Sequence, residues 1–284
     1  MNHTLFLAYT HHDAEWCLHR IDDQLNQPSA DLFREWTDFS RHLALVWPGS
    51  TPEWRTNQFR LACYHQDLLI QEASCDELTK GLSKLGLPSG YLTKPAIIAT
   101  FHVGSYRILG QWLALQRIPF SLLVSGAVKE AQEAIYWDTV SPHLRHETDF
   151  AVLNADDPGV LFAMRRSLRT GHCILAYLDG NVGGMSQSHL VNLGNLQFRV
   201  PLGIGFLAHL MDVPVFPIWT ARVPDGLQLL LKAPYLPLQH RSRDKRDHIS
   251  SAKLCLEMLF DQFFKDLSVA PWQWEGWFYL DDFQ

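Results

Sequence analysis

From Asp13 to about Ala73 apolar residues recur at helical spacing, which predicts helices over Ala14–Asn26 and Ala30–Val46 and a third that starts at Thr51-Pro52-Glu53. In the second, Leu32, Phe33, Trp36, Phe39, Leu43 and Val46 share one face, the pattern of a stripe turned to a core. Thr51 before Pro52 marks a helix start: the hydroxyl can accept a free first-turn N–H, and proline lacks one that would go unpaired. Asp76–Leu85 reads as a further short helix stopped by Gly86, and Leu87-Pro88-Ser89-Gly90 as a turn. Residues 1–90 are therefore expected to form a helical lead-in or cap.

From Pro95 the period changes. Ile97, Ile98 and Ala99 are a continuous apolar run, as in a strand buried on both faces, and Ile108, Leu109, Trp112 and Leu113 then recur as a helix. Strands at Phe120–Val124, Phe150–Leu153 and Cys173–Leu178 alternate with helices near Lys129–Val140 and Pro158–Leu168. A hairpin over Leu190–Val200, a helix over Leu202–Leu210 and strands Val213–Trp219 and Leu227–Leu231 follow. A long helix, His248–Leu267, comes behind the charge run Arg241–Arg246. The fold class is α/β, with a central mixed sheet flanked by helices over residues 91–284. Pro214 and Pro217 lack ladder donors, so their strand is expected at an edge, a bulge or a strand end lining a cleft. With no repeat and no flexible linker, one compact unit is expected.

The chemistry points to His102, which stands where the first buried strand gives way to a helix. Strand ends of α/β sheets face a crevice, and free N–H groups opening a helix can hold an anion. Gly104 and Ser105 would supply such groups, with Ser105 as helix cap or, alternatively, nucleophile. No GxxxxGK[ST], GxGxxG or GxSxG motif occurs. The one glycine-rich loop, Asp179-Gly180-Asn181-Val182-Gly183-Gly184, follows a buried strand, and its bland reading is a tight turn.

Composition narrows this further. A net charge of −6 argues against a broad nucleic-acid or anionic-membrane surface. Cys17, Cys63, Cys75, Cys173 and Cys255 are scattered without a CxxC pair, and with no signal segment at Met1 a cytoplasmic location is expected. No run approaches the roughly 18–20 apolar residues of a membrane span, so contact with lipid would be peripheral. The 14 histidines show no metal-ligand spacing; His11-His12-Asp13 is the tightest cluster, and no metal is expected.

The order of landmarks resembles the lysophospholipid-acyltransferase-like superfamily, and within it the bacterial lipid A late (lauroyl and myristoyl) acyltransferases. ATFHVGSYR is similar to that family's histidine-bearing strand end, and DPGVLFAMRRSLRTGHCILAYLDGN to its leucine-and-basic helix, glycine, strand and aspartate. FRVPLGIGFLAHLMDVPVFPIWT resembles its glycine-containing helix with a V-P-x-x-P strand, and PWQWEGWF its closing tryptophan segment. The resemblance spans about Pro95 to Tyr279 and implies a glycerolipid-acyltransferase-like fold.

That family carries an acid five residues after its histidine, which orients the imidazole; here the position is Arg107, which cannot accept a hydrogen bond. Asp179 is the candidate substitute. Arg107, Asn181 and Arg199 are then candidate substrate contacts beside Gly104 and Ser105.

The resemblance implies an acyltransferase that draws on an acyl thioester of coenzyme A or acyl carrier protein, with no bound cofactor. His102 would be general base for a hydroxyl or amine acceptor. The absence of an apolar anchor and the acidic Asp281-Asp282 favour a small or carrier-bound acceptor over lipid A. Arg165, Arg166, Arg169 and Arg241–Arg246 are candidate contacts for an acyl or peptidyl carrier protein. Leu202, Phe206 and Trp219, or aromatics of the first helices, would line the acyl cleft. Two other readings are an inactive, binding member of the fold and an acyl-thioester hydrolase.

Overall fold

A computed structural model describes residues 2–9, 14–72, 75–92, 95–180, 187–237 and 245–280. The chain opens with strand β1 (His3–Ala8) and four helices, α1 (Ala14–Asn26), α2 (Ala30–Val46), α3 (Pro52–Glu72) and α4 (Asp76–Leu82). Strand and helix then alternate through β2 (Ile97–Thr100), α5 (Ile108–Leu115), β3 (Phe120–Val124), α6 (Gly126–Val140), β4 (Phe150–Asn154), α7 (Val160–Arg169) and β5 (Cys173–Tyr177). The hairpin β6 (Ser188–Leu193) and β7 (Leu196–Pro201) leads to α8 (Gly203–Met211), β8 (Val215–Val223), β9 (Gly226–Leu231) and α9 (Lys245–Leu267).

Seven strands form one mixed sheet in the order β1-β9-β8-β2-β5-β3-β4. β8, β2, β5, β3 and β4 run parallel, and β9 is antiparallel to both β8 and β1. The parallel centre follows from the crossover helices, since a strand that feeds a helix returns in the same direction. β2 has no exposed residue, because both faces are covered. Ile98, with Leu175 and Leu122 of the neighbouring strands, packs under α4, α5 and α6. Ile97 and Ala99 face the opposite core, built with α2, α3, α7, α8 and α9. Helices therefore cover both faces of the sheet.

Two expectations are corrected. The first third is not purely helical: β1 joins the sheet as its edge strand, paired with β9 from His3↔Leu231 to Ala8↔Gly226. Its outer positions are exposed, Phe6 to 49%, as an edge strand allows. The proline strand β8 is interior, between β9 and β2. It tolerates Pro217 because this residue is the last paired with β2 (Ala99↔Pro217), and pairing with β9 starts at Ile218. The missing donor falls where the strand changes partners.

Candidate active site at the ends of two central strands

β2 and β5 are parallel neighbours with Thr100 opposite Tyr177, and the Leu178 N–H donates to the Thr100 carbonyl at 2.9 Å. Two residues further on, the same register sets His102 against Asp179. His102 Nδ1 lies 2.9 Å from Asp179 Oδ1, and the His102 backbone N–H donates to Oδ1 and Oδ2 at 3.1 and 2.9 Å. Trp274 Nε1 donates to Oδ2 at 2.6 Å. Asp179 is only 2% exposed, so the donors around it replace the water it has lost. A carboxylate can only accept, which assigns the proton to Nδ1 and leaves Nε2 as the basic nitrogen.

Side-chain packing fixes the ring as well. Tyr177 stacks on the imidazole with centroids 4.5 Å apart and 23° between planes, and Tyr106 meets it edge-on at 4.9 Å. The Tyr177 hydroxyl donates to the Tyr106 carbonyl at 3.0 Å, tying strand end to turn. Burial pulls the imidazole pKa down, but the charge of Asp179 and its hydrogen bond, helped by Glu275, push harder the other way. Arg107 opposes them, and the net direction is up.

The turn after His102 is clamped by the closing segment of the chain. The Gly104 N–H donates to the Gln273 carbonyl at 3.1 Å, Glu275 N–H to the His102 carbonyl at 2.9 Å, and Val103 pairs antiparallel with Trp274. Gly104 adopts φ +58°, and a Cβ there would sit 2.5 Å from the Thr220 carbonyl oxygen. Backbone cannot yield as a flexible side chain can. Left-handed strain of about 1–2 kcal/mol adds to overpacking of about 1–3 kcal/mol, so Gly104→Ala is expected to cost about 3 kcal/mol in chemical denaturation.

Of the N–H groups expected to form an anion cradle in this turn, that of Gly104 is already taken. Gly104's amide is committed to Gln273, and α5 starts only at Ile108, without a side-chain cap. Ser105 is fully buried and accepts from Arg222 Nη2 at 3.1 Å, on the side where Arg222 forms a bidentate pair with Glu72 at 2.6 and 3.0 Å. It is neither helix cap nor exposed nucleophile. His102 lies outside the helix, so helical spacing from Arg107 does not apply to it.

His102 opens onto a cavity of about 360 Å³ beneath α6. Its walls come from one face of the sheet and the helix above: Leu122, Val124 and Leu175 from strands, Val128, Ile135 and Tyr136 from α6. Arg107, Glu275 and Tyr279 stand with His102 among the lining residues and give the pocket a polar end. Cysteine is not among them, and burial pushes the Cys173 thiol up to about 11. The volume falls within the range of small-molecule sites. Among the described residues no cluster of three His, Cys, Asp or Glu could hold a metal.

The structure thus brings together His102, Asp179 and Arg107, and separates others. Leu202 and Trp219 belong to the core on the opposite face of the sheet, with Phe206 packed against it, so the cleft wall is not theirs. Arg199 is exposed on β7 and does not line the cavity. Arg166 and Arg169 are exposed on α7, with Arg165 half-buried. Asn181, the turn glycines Gly183 and Gly184, the His11-His12-Asp13 cluster, residues 241–244 of the charge run and Asp281-Asp282 lie outside the described residues.

No protein-family model and no curated protein matches the chain.

Trp274, Tyr177 and Glu275 were missed as site residues. Tyr177 could have been found, since it precedes Asp179 by two on a strand end. Trp274 is 95 residues from Asp179, and only the density of tryptophan in PWQWEGW marked its segment.

Proposed function

We propose that the protein is an acyltransferase which moves an acyl group from a thioester to a hydroxyl or amine acceptor, with His102 as general base. One observation carries the reading: a His–Asp pair held by strand register stands at the polar end of a largely apolar cavity of about 360 Å³. The likeness of the motifs to lipid A late acyltransferases, and hence a glycerolipid-acyltransferase-like fold, supports it from the sequence side. His102 Nε2 removes the acceptor proton, the acceptor oxygen or nitrogen forms its bond to the thioester carbonyl carbon, and the C–S bond breaks. The imidazolium then returns the proton to the departing thiolate, so no external base is consumed. Asp179 fixes the Nδ1–H tautomer and stabilises the transient imidazolium.

Arg107 takes a different part from the acid that it replaces. Its guanidinium lines the cavity beside His102, uses Nε on the Tyr106 hydroxyl at 3.3 Å, and can present its other N–H groups to the oxyanion of the tetrahedral intermediate. With the Gly104 amide and the Ser105 hydroxyl committed elsewhere, Arg107 is the cationic donor on the cavity wall. Donor thioester on coenzyme A or on acyl carrier protein fits this chemistry equally, because the reacting end is the same.

The test is to incubate purified protein with acyl thioesters of increasing length, with and without amine and alcohol acceptors, and to measure released thiol. Thiol that appears only with acceptor supports transfer; thiol without acceptor means hydrolysis, and none with any donor means a binding role. Val128→Trp fills the cavity from α6 and is expected to shift donor preference toward shorter chains. Loss of room for two methylenes, at ~0.8 kcal/mol each, is about a tenfold drop in kcat/KM for the longest donor relative to the shortest. An unchanged length profile would remove the cavity from donor binding.

A further inference from the structure

β8 outlasts its neighbour β2. Its pairing with β2 ends at Pro217, and residues 218–223 run on beside the turn that carries His102. Thr220 and Arg222, two apart on one strand, share a face, and both reach that turn. The Thr220 hydroxyl donates to the Val103 carbonyl at 2.8 Å, and Arg222 Nη2 donates to the Ser105 hydroxyl at 3.1 Å. The guanidinium is itself held. Nη1 and Nη2 donate to Glu72, the last residue of α3, at 2.6 and 3.0 Å, and Nε meets Nδ1 of buried His65 at 3.4 Å. Burial and the Arg222 charge keep His65 well below the ordinary histidine range, so it stays a neutral acceptor. The Arg222 main chain is tied as well: its N–H and carbonyl bond the Gln273 side chain at 2.6 and 2.7 Å, while the Gln273 carbonyl takes the Gly104 N–H.

Stability alone does not account for this arrangement. The Arg222 and Glu72 side chains are 10% and 1% exposed, and an ion pair so far from water gains little over a well-packed apolar pair, because both ions have given up their hydration. What the guanidinium fork adds is one fixed orientation. That orientation reaches the site from the side that Asp179 does not: Asp179 holds the imidazole and backbone N–H of His102, and Arg222 holds the chain at Ser105. We propose that Arg222 is a positioning residue, which keeps the His102 imidazole on Asp179 by anchoring the downstream turn to α3. The first helices thereby take part in the site, although α3 contributes no residue to the cavity. The proposal rests on the general-base reading for its effect on rate, though not for its effect on the ring.

Glu72→Met combined with Arg222→Met replaces the ion pair by apolar side chains and leaves neither charge buried alone, and thermal denaturation reports whether the protein folds. Isotope-edited NMR at alkaline pH, where the ring is neutral, reads the histidine nitrogens, with His102 identified as the signal lost in His102→Gln. Wild type is expected to show the Nδ1–H tautomer alone and the double variant a mixture of both, because its ring is no longer held on the acceptor. kcat for thioester turnover should drop about 10²-fold with KM little changed, the cost of a small misplacement by a group remote from the chemistry. A folded double variant that keeps the Nδ1–H tautomer alone overturns the proposal, as does a wild type without that tautomer. Should the double variant not fold, Ser105→Ala cuts the tie to the turn while the ion pair stays whole, and the same spectrum decides: mixed tautomers support the proposal and Nδ1–H alone overturns it. A tautomer that depends on Arg222 in a protein that consumes no thioester would sink acyl transfer and leave the positioning role standing. Transfer at full rate by a double variant with a fixed tautomer would sink the positioning role and leave acyl transfer standing.

Discussion

His102→Gln is expected to lower acyl transfer by about 10²–10⁴-fold, the range for loss of a positioned general base, while the fold survives. Glutamine can still donate to Asp179 but has no basic nitrogen to present to an acceptor. The protein should tolerate the change because Asp179 keeps two donors that do not depend on the imidazole. These are the His102 backbone N–H at 3.1 and 2.9 Å and Trp274 Nε1 at 2.6 Å. Steady-state kinetics with a thioester donor, set beside a denaturation curve, reads both halves. Full activity in a folded His102→Gln protein would end the general-base assignment.

Part of the site was legible in the sequence because its two central residues follow recognisable strands. His102 and Asp179 each follow a short buried strand, Ile97–Thr100 and Cys173–Tyr177, and continuous apolar runs of that kind are recognisable without a partner. What the runs do not encode is their pairing. Had β3 lain between β2 and β5, the two side chains would have stood a strand apart. Neither the Trp274 bond nor the clamp of Gln273 and Glu275 on the turn has a local signal, because those contacts join residues that the fold alone makes neighbours.

Where the reading failed, the reason is also physical. Parallel strands covered on both faces are apolar at every position, so the pattern does not reveal which face holds a cavity. Leu202, Phe206 and Trp219 are as apolar as Leu122, Val124 and Leu175, yet only the second group lies beneath α6 beside an opening. α6 itself has one fully buried residue, Val140, and so leaves room where a tightly packed helix would not. β1 escaped notice because a short edge strand carries only a few half-buried side chains, and its identity depends on β9 more than 200 residues away. Ser105 misled for a different reason: a serine near a helix start is a sound cap prediction, but Arg222 and its buried partner Glu72 claim the hydroxyl.

Asp179→Asn is expected to lower turnover by about 10³-fold and to move the pH profile, a pair of effects that a merely structural role would not produce together. Burial and Arg107 both depress the His102 pKa, and Asp179 is the main force above them. A general base works only when unprotonated, so wild-type kcat/KM should fall as pH drops through a pKa above the ordinary histidine value of ~6.5. With the carboxylate gone, only Glu275 pushes upward, and that acid limb should shift to lower pH. Linkage fixes the sign for stability. A histidine raised in the folded state contributes stability that is fully present below its unfolded pKa and is lost as pH rises through the folded one. The stability gap between wild type and Asp179→Asn should therefore be wider near about pH 6 than near about pH 9, read from denaturation midpoints at each pH. Asparagine can still accept from Trp274 and the His102 N–H, so a folded variant is expected. If its activity and acid limb both match wild type, Asp179 does not orient the base, and the 2.9 Å contact to Nδ1 is structural alone.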